Sequence, residues 1–206
     1  MSVNKIGEVD VSRETLDRLK TFESLVVTWS PKINLVSKSS LTDLWERHIV
    51  DSAQIYAISP EKYDIWTDIG SGGGFPGIVC AIVAAEKHPS ASFSLIESDQ
   101  RKSTFLRTAI RELGLSATVI TDRIEAVQPQ NADVVSARAL TSLSGIFPYI
   151  LRHLKPEGVA LLHKGKTVRQ EIVQAEATWS FDLVSHPSIT NPDARLLQIK
   201  RISSLG

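Results

Sequence analysis

One stretch, DIGSGGGFPG at residues 68–77, constrains the fold of this chain more than any other. It separates an apolar run at 64–69 from an amphipathic run at 75–86, and the two periods predict a strand followed by a helix. Glycines at 70, 72 and 74 let the backbone turn sharply and approach a ligand closely, because they carry no Cβ atom. In open α/β sheets, ligands bind at such turns beyond the carboxyl ends of the strands.

Short apolar runs and longer amphipathic runs alternate through the rest of the chain. This alternation predicts parallel strands joined by crossover helices, a doubly wound α/β sheet. The last two strands are separated only by a loop with Pro187 and Pro192, so we expect an antiparallel carboxyl-terminal hairpin on an otherwise parallel sheet. The predicted strands are 64–69, 92–97, 117–121, 132–137, 158–163, 181–186 and 195–202, and the predicted helices are 75–86, 101–113, 141–154 and 167–178.

The amino-terminal segment, 1–60, has a helical period instead. Its pattern predicts one helix that starts at Ser12 and ends at Pro31, and a second helix that Pro60 ends. We expect this segment to pack on a domain formed by residues 61–206, as one compact unit.

Composition narrows the possible functions. The 206 residues include 23 basic and 23 acidic side chains, so net charge does not itself indicate a nucleic-acid partner. A single cysteine, Cys80, excludes a disulfide framework and a cysteine-based zinc site, and the histidines lack metal-ligand spacing. No apolar run is long enough to span a membrane, and residues 1–10 contain no apolar leader segment. We expect a cytoplasmic protein without a metal ion.

The glycine-rich turn suits two classes of ligand. Gly72, Gly74 and Gly77 match the G-x-G-x-x-G pattern that directs helix N–H groups at a dinucleotide pyrophosphate. Counted from Asp68, the same turn is an acid followed by alternating glycines, as in S-adenosylmethionine (SAM) methyltransferases, where the acid lies near the ligand's ammonium group. Glu97, just past the next predicted strand, is placed to accept hydrogen bonds from ribose hydroxyls. Both ligands contain adenosine, so Glu97 does not separate them.

Seven short motifs follow one another in a selective order along the chain: Asn34-Leu35, R-H-I-V-D-S at 47–52, the glycine turn at 68–77, 97–106, R-I-E at 123–125, S-A-R-A at 136–139 and Lys164-Gly165. This order and spacing, over about residues 25–203, resembles the RsmG (GidB) family of bacterial small-subunit rRNA methyltransferases. The 47–52 and 136–139 motifs are far more selective than the glycine turn alone.

The resemblance implies a class I SAM-dependent methyltransferase fold, SAM as cofactor, and methylation of guanine N7 in the 530 loop of 16S rRNA. We expect a monomer whose partner is 16S rRNA or the small ribosomal subunit. The chain departs from the family pattern at Asp99-Gln100, which leaves the role of Asp99 open. The implied cofactor-binding residues are Asp68, Gly70, Gly72, Gly74, Phe75, Glu97, Ile124, Glu125 and Arg138.

Four side chains are candidates for the substrate and the transfer step. Guanine N7 carries a lone pair and no proton, so methyl transfer requires alignment rather than a general base. Arg138 is the catalytic candidate: we expect it to order the boundary between cofactor and substrate, or else to be a surface arginine in an ion pair. His48 either supports the loop of Asn34 together with Asp51, or is a buried histidine bonded to Asp51. Lys164 either contacts RNA phosphate or is solvated.

Two other functions stay open at this point. One is an NAD(P)-binding Rossmann oxidoreductase that uses the G-x-G-x-x-G glycines. The other is a non-catalytic RNA-binding protein of ribosome assembly that keeps the fold. Binding of SAM but not NAD would exclude the first, and methyl incorporation into RNA would exclude the second.

Overall fold

An antiparallel hairpin, β1 (Asn4–Ile6) and β2 (Val9–Val11), opens the part of the chain that the computed structural model describes, residues 4–206. Each strand has three residues, too few for a period to show in the sequence. The expected absence of a leader rests in part on residues 1–3, which lie outside the described range. None of the helices in residues 4–206 combines the length and the apolar character that a membrane span requires.

The first helix, α1 (Arg13–Ile33), starts as predicted, but the prediction that Pro31 ends it is wrong. The Ser12 hydroxyl accepts a 3.1 Å hydrogen bond from the Thr15 N–H, which satisfies one free donor of the first turn. Pro31 lies in the last turn, where its ring removes one hydrogen bond without preventing the next. The helix ends instead at Asn34, whose left-handed φ of 52° closes it.

The second predicted helix is divided in two. A π-helical turn (Trp45–Val50) runs directly into α2 (Asp51–Ala57). Periodicity does not anticipate a π turn, because its wider winding departs from 3.6 residues per turn. Such turns are frequent at functional sites, and this one carries most of the R-H-I-V-D-S motif.

Seven strands form the main sheet: β3 (Ile65–Ile69), β4 (Ser92–Ile96), β5 (Ala117–Ile120), β6 (Ala132–Arg138), β7 (Leu154–Lys164), β8 (Trp179–Pro187) and β9 (Arg195–Ser204). Their spatial order is β5-β4-β3-β6-β7-β9-β8. All neighbouring pairs are parallel except those of β9, which is antiparallel to both β7 and β8. The predicted fold, a mostly parallel doubly wound sheet with an antiparallel terminal hairpin, is confirmed.

The crossover helices are α3 (Gly77–Lys87), α4 (Gln100–Leu113), α5 (Leu143–His153) and α6 (Val168–Glu176). α3 and α4 pack on one face of the sheet together with α1 and α2, while α5 and α6 pack on the other. Successive strand residues point to opposite faces, so Val134 joins the first apolar core and Val135 the second. The sheet is thus covered on both sides, as a parallel sheet requires.

The amino-terminal segment shares its apolar core with the sheet. Phe22 of α1 and Ile49 of the π turn lie in the same cluster as Trp66 of β3 and Phe105 of α4, and all four are fully buried. Burial of each such side chain contributes roughly 1.5–3 kcal/mol, which ties the segment to the sheet. The boundary between segments 1–60 and 61–206 stays a prediction.

Candidate active site at the carboxyl edge of the sheet

A cavity of about 730 Å³ opens where the strand order reverses, between β3 and β6. Small-molecule and cofactor sites usually have volumes of about 300–1,000 Å³. Its walls come from the turns after β3, β4, β5 and β6, from α5, and from the amino-terminal segment. The lining residues are Leu35, Val36, His48, 70–73, Phe75, 96–98, Lys102, 122–125, 138–141, Gly145 and Tyr149.

The glycine-rich turn forms one wall of this cavity. Gly70, Gly72 and Gly74 have φ of 69°, 54° and 88°, a region that residues with side chains rarely adopt. A Cβ atom on Gly72 would meet only the Gly70 carbonyl, at 3.8 Å, so the cavity is open in front of this residue. A Cβ atom on Gly74 would lie 2.9 Å from the ring of Phe22. Gly74 is therefore needed for packing against α1, and it does not line the cavity.

The N–H groups at the start of the turn, those of Gly70, Ser71 and Gly72, are hydrogen-bonded within the protein. Gly70 and Ser71 both donate to the Ile96 carbonyl, over 2.9 and 3.1 Å. Gly72 donates to Oε2 of Glu97 over 2.8 Å. A pyrophosphate would need such N–H groups free, and the carboxylate beside them would repel it. The turn therefore suits a nucleoside ligand without a diphosphate.

Glu97 lies just past β4, as the sequence predicts, and lines the cavity while only 8% exposed. Besides the bond from Gly72, it accepts a 2.7 Å hydrogen bond at Oε1 from the Asp99 N–H. The carboxylate is thus held in one orientation, and each oxygen keeps a lone pair for a ribose hydroxyl. Asp99 itself caps α4, because its Oδ1 accepts from the N–H groups of Arg101 and Lys102 over 2.8 and 3.1 Å.

Asp68 lies behind the glycine turn, with 1% of its surface exposed. Its Oδ1 accepts a 2.6 Å hydrogen bond from the Ser136 hydroxyl. A Cβ atom on Gly77 would lie 2.6 Å from Oδ2, so this carboxylate packs against the start of α3. Burial raises the pKa of Asp68 to about 6, although the Ser136 bond opposes the shift. Asp68 does not line the cavity, and its expected contact with a ligand's ammonium group stays a prediction.

Ile124 and Glu125, in the turn after β5, also line the cavity, and their expected contact with the adenosine of a ligand stays a prediction. Ile124 is half-buried and offers an apolar surface, whereas Glu125 is exposed. The Ile124 carbonyl lies 3.0 Å from Nε2 of His153, which ties this turn to α5. On the side of the amino-terminal segment, Phe75 is buried and its ring centroid lies 4.9 Å from that of His48.

His48 lines the cavity from the π turn, but it does not bond to Asp51 as one alternative predicts. Neither of its ring nitrogens has a hydrogen-bond partner within residues 4–206. Burial, assisted by the charge of Arg138, lowers the pKa of His48 to about 3. The ring is therefore neutral at physiological pH.

Arg138 lines the cavity and forms an ion pair, but its side chain is only 19% exposed, so it is not the surface arginine of one alternative. Its expected role at the boundary between cofactor and substrate stays a prediction. Its Nη2 donates to the Arg47 carbonyl over 2.9 Å and lies 3.4 Å from Oδ2 of Asp51. Nη1 has no partner in the described chain. Nε2 of His163 lies 2.7 Å from the same Asp51 oxygen, a contact that sequence reasoning missed.

Asn34 and Lys164 lie apart from the cavity lining. Asn34 closes α1 and is exposed next to Leu35, which does line the cavity. The Lys164 ammonium is turned inward: it donates to the Thr141 carbonyl and lies 2.8 Å from Oε2 of Glu171. With 7% of its surface exposed, Lys164 is not the solvated lysine that the sequence alternative describes.

A family model named GidB, described as rRNA small subunit methyltransferase G, matches residues 15–198. The chain belongs to the GidB family. A relative from Ruegeria pomeroyi, named ribosomal RNA small subunit methyltransferase G, is 51% identical over 203 residues, 98% of this chain and 99% of the relative. A relative of the same name from Cereibacter sphaeroides (strain ATCC 17029) is 45% identical over 203 residues, 98% of each chain.

Two solved structures share the fold of this GidB family member. The ribosomal protein L11 methylase of Lactobacillus delbrueckii subsp. bulgaricus has a TM-score of 0.60 at 17% identity, over 75% of this chain and 78% of that one. TYW2 of M. jannaschii, solved with AdoMet, has a TM-score of 0.56 at 16% identity, over 84% and 78%. At these identities the likeness concerns the fold alone.

Family membership confirms the predicted enzyme class, a SAM-dependent rRNA methyltransferase. The cavity fits this cofactor, since the turn is open at Gly72, the N–H groups of residues 70–72 are occupied, and Glu97 presents a fixed carboxylate. The same observations disfavour the oxidoreductase alternative. No group of three or more metal-ligating side chains occurs within residues 4–206.

Several lining residues had no signal in the sequence. Tyr149 and Gly145 lie one turn apart on α5 and face the cavity, but the pattern of α5 shows only which side is apolar. Leu140 lies beyond the end of β6 and reaches back over Gly70. Lys102 is part of the 97–106 motif, although the cluster of charges around it equally predicts a solvated face.

Proposed function

We propose that this GidB family member transfers the methyl group of SAM to N7 of a guanine in the 530 loop of 16S rRNA. Membership of an rRNA methyltransferase family is the observation that carries the proposal. The base and the loop come from the resemblance of the motifs. We also propose that the protein acts as a monomer in the cytoplasm.

The roles proposed for the residues follow from their positions around the cavity. When bound, SAM supplies a methyl group on a positively charged sulfur. Glu97 binds the ribose, and Ile124 contacts the adenine. Gly72 leaves room for the ligand, because a side chain there would extend into the cavity. Phe75 excludes water from the wall beside His48.

Of the four basic side chains that line the cavity, His48, Lys102, Arg123 and Arg138, two present no unbalanced positive charge to a cationic ligand. His48 is neutral because its pKa is about 3. The charge of Arg138 is balanced by Asp51, 3.4 Å away. We propose that Arg138 holds the boundary between cofactor and base, and that neutral His48 contacts the substrate there. No general base is needed, since guanine N7 carries no proton.

The test is methyl transfer to RNA that lacks the modification. Unmodified 16S rRNA transcripts and small subunits from cells without this methylation are incubated with the protein and tritiated SAM, and the digested nucleosides are identified by mass spectrometry. We expect 7-methylguanosine in one 530-loop fragment. Label in another base or another region would overturn the assignment of the target, and no label in any RNA would overturn the function.

A further inference from the structure

The segment 138–141, which starts at the last residue of β6, separates two cavities. All four of its residues line both the cofactor cavity and a second cavity of about 410 Å³. The second cavity is otherwise lined by His163, Lys164 and Gly165 at the end of β7, and by Glu171 of α6. Since β6 and β7 are neighbours in the sheet, this cavity lies beside the first, on the side away from β4 and β5. We call 138–141 the ridge.

The ridge combines a strained backbone with an exposed apolar side chain. Ala139 has a φ of 49°, a left-handed conformation that costs a residue with a Cβ atom about 1–2 kcal/mol. Leu140 keeps 36% of its surface exposed. Its Cδ1 would lie 2.7 Å from a Cβ atom on Gly70, so it packs over the glycine turn while lining both cavities. Strained backbone of this kind clusters at functional sites and persists only where the surroundings hold it.

Two buried ion pairs hold the ridge at its ends. At one end Arg138 is held by Asp51, as described above. At the other end the Lys164 ammonium donates to the Thr141 carbonyl and pairs with Glu171. Oε2 of Glu171 also accepts a 3.1 Å hydrogen bond from the Leu143 N–H at the start of α5. Lys164 and Glu171 thus fix the backbone on the far side of Leu140.

We propose that the ridge is the substrate-side wall of the reaction, that Leu140 contacts the incoming nucleobase, and that Lys164 and Glu171 are positioning residues for it. The proposal rests on the proposed function. A nucleobase has to meet the methyl group from a side that the cofactor does not fill, and the ridge is the wall that the cofactor cavity shares with a second cavity. An exposed leucine there covers the face of a purine and excludes water, while the carboxylate and ammonium behind it keep its backbone in place.

The contact of Leu140 is tested with Leu140→Ala and with Leu151→Ala as the matched control. Leu151, on α5, is 44% exposed and lies outside both cavities. We expect Leu140→Ala to lower kcat/KM for 16S RNA at least about tenfold while the Kd for SAM changes less than about twofold. Leu151→Ala should change neither. Unchanged RNA kinetics would overturn the contact, and a loss of SAM affinity as large as the loss of activity would place Leu140 on the cofactor side instead.

The positioning role is tested with Lys164→Met, Glu171→Met and the double variant. Each single variant leaves a buried charge without its partner, so we expect a lower Tm, whereas the double variant removes both charges and should recover most of the Tm. We expect kcat to stay at least about tenfold low in the double variant, with SAM affinity retained, because the Thr141 carbonyl has lost its anchor. Recovery of kcat together with Tm would reduce the pair to a stabilising role and overturn the proposal. Should the wild-type protein methylate no RNA, the proposed function fails instead.

Discussion

Two glycines have similar backbone conformations, but only one of them faces the cavity. Gly72 has a φ of 54°, and Gly114, which closes α4, has a φ of 62°. A Cβ atom on Gly114 would meet nothing within 4 Å, and one on Gly72 would face the open cavity. Alanine therefore strains the backbone equally at both positions, but it reaches a ligand at only one of them.

We predict that Gly72→Ala weakens SAM binding at least about tenfold, while Gly114→Ala leaves it unchanged. Both variants should lose about 1 kcal/mol of unfolding free energy, because each places a side chain in the left-handed region. Isothermal titration with SAM and thermal unfolding measure the two effects separately. Equal SAM affinity in the two variants would contradict the placement of Gly72 at the cofactor.

The buried carboxyl group of Asp68 makes the stability of the protein depend on pH. Burial raises its pKa to about 6 in the folded state, compared with about 3.9 in an unfolded chain. The folded state therefore binds this proton more tightly, and its contribution to stability falls as the pH rises from about 4 to about 6. Above that range, the stability no longer changes with the protonation of Asp68.

We predict that Asp68→Asn removes this component of the pH dependence, since the amide keeps an acceptor for Ser136 and carries no charge. Urea unfolding of wild type and variant across the pH range is the measurement. Asp122→Asn, at an exposed position after β5, is the control and should retain the wild-type profile. A variant profile parallel to that of the wild type would assign the titration to another group.

At the scale of elements, one carboxylate joins the start of α1 to the end of α3. Oε2 of Glu86 accepts from the Ser12 N–H over 2.9 Å and from the Thr15 hydroxyl over 2.7 Å. Burial acts to raise the pKa of Glu86, but these hydrogen bonds outweigh it and lower the pKa to about 2. The contact orients α1 on the sheet, and through α1 the turn of Leu35 that lines the cavity.

We predict that Glu86→Gln lowers the unfolding free energy by about 1–2 kcal/mol at neutral pH, because hydrogen bonds to a charged acceptor are replaced by bonds to a neutral one. Because the pKa of Glu86 is lower in the folded state, its carboxylate stabilises the fold at pH values above the unfolded pKa. This stabilisation is lost as the pH falls from about 4.3 to about 2. The difference between wild type and variant should therefore shrink over that range in chemical denaturation. Glu176→Gln, at an exposed position on α6, is the control.

At the scale of the whole molecule, Asp51 connects parts of the chain that are distant in sequence. It lies at the start of α2 and is 4% exposed. Its Oδ1 accepts from the hydroxyls of Thr190 and Ser188 over 2.7 and 3.2 Å, in the loop between β8 and β9. Its Oδ2 contacts His163 of β7 and Arg138 at the end of β6. The carboxyl-terminal hairpin is thereby linked to the wall of the cofactor cavity.

We predict that Asp51→Asn lowers the unfolding free energy by about 3 kcal/mol, because it leaves the buried Arg138 without an anion. Burial acts to raise the pKa of Asp51, but His163 and Arg138 outweigh it and lower the pKa. The stabilisation is therefore present above the ordinary carboxyl pKa and is lost in acid. Equilibrium denaturation measures the loss, with Asp193→Asn in the same loop as an exposed control. Equal stability of the two variants would show that the network contributes nothing.

Periodicity predicts the core elements of the sheet well and the amino-terminal elements less well. The run at 64–69 became β3 and the run at 101–113 became α4, because each has the uninterrupted period of its element. The hairpin of β1 and β2 is too short to show a period, and the π turn departs from the helical one. The prediction that Pro31 ends α1 is wrong because a single missing N–H is tolerated in the last turn of a helix.

The sequence alone determined the chain order of strands and helices from β3 onward, the glycine turn and the family, because these depend on local periods and on motifs read along the chain. Only the tertiary structure decided that Asp68 lies behind the turn, that Lys164 turns inward to Glu171, and that Asp51 meets Arg138. These contacts depend on which strand ends become neighbours in the sheet and on which side chains lose their water there. Neither property is encoded within any one stretch of sequence.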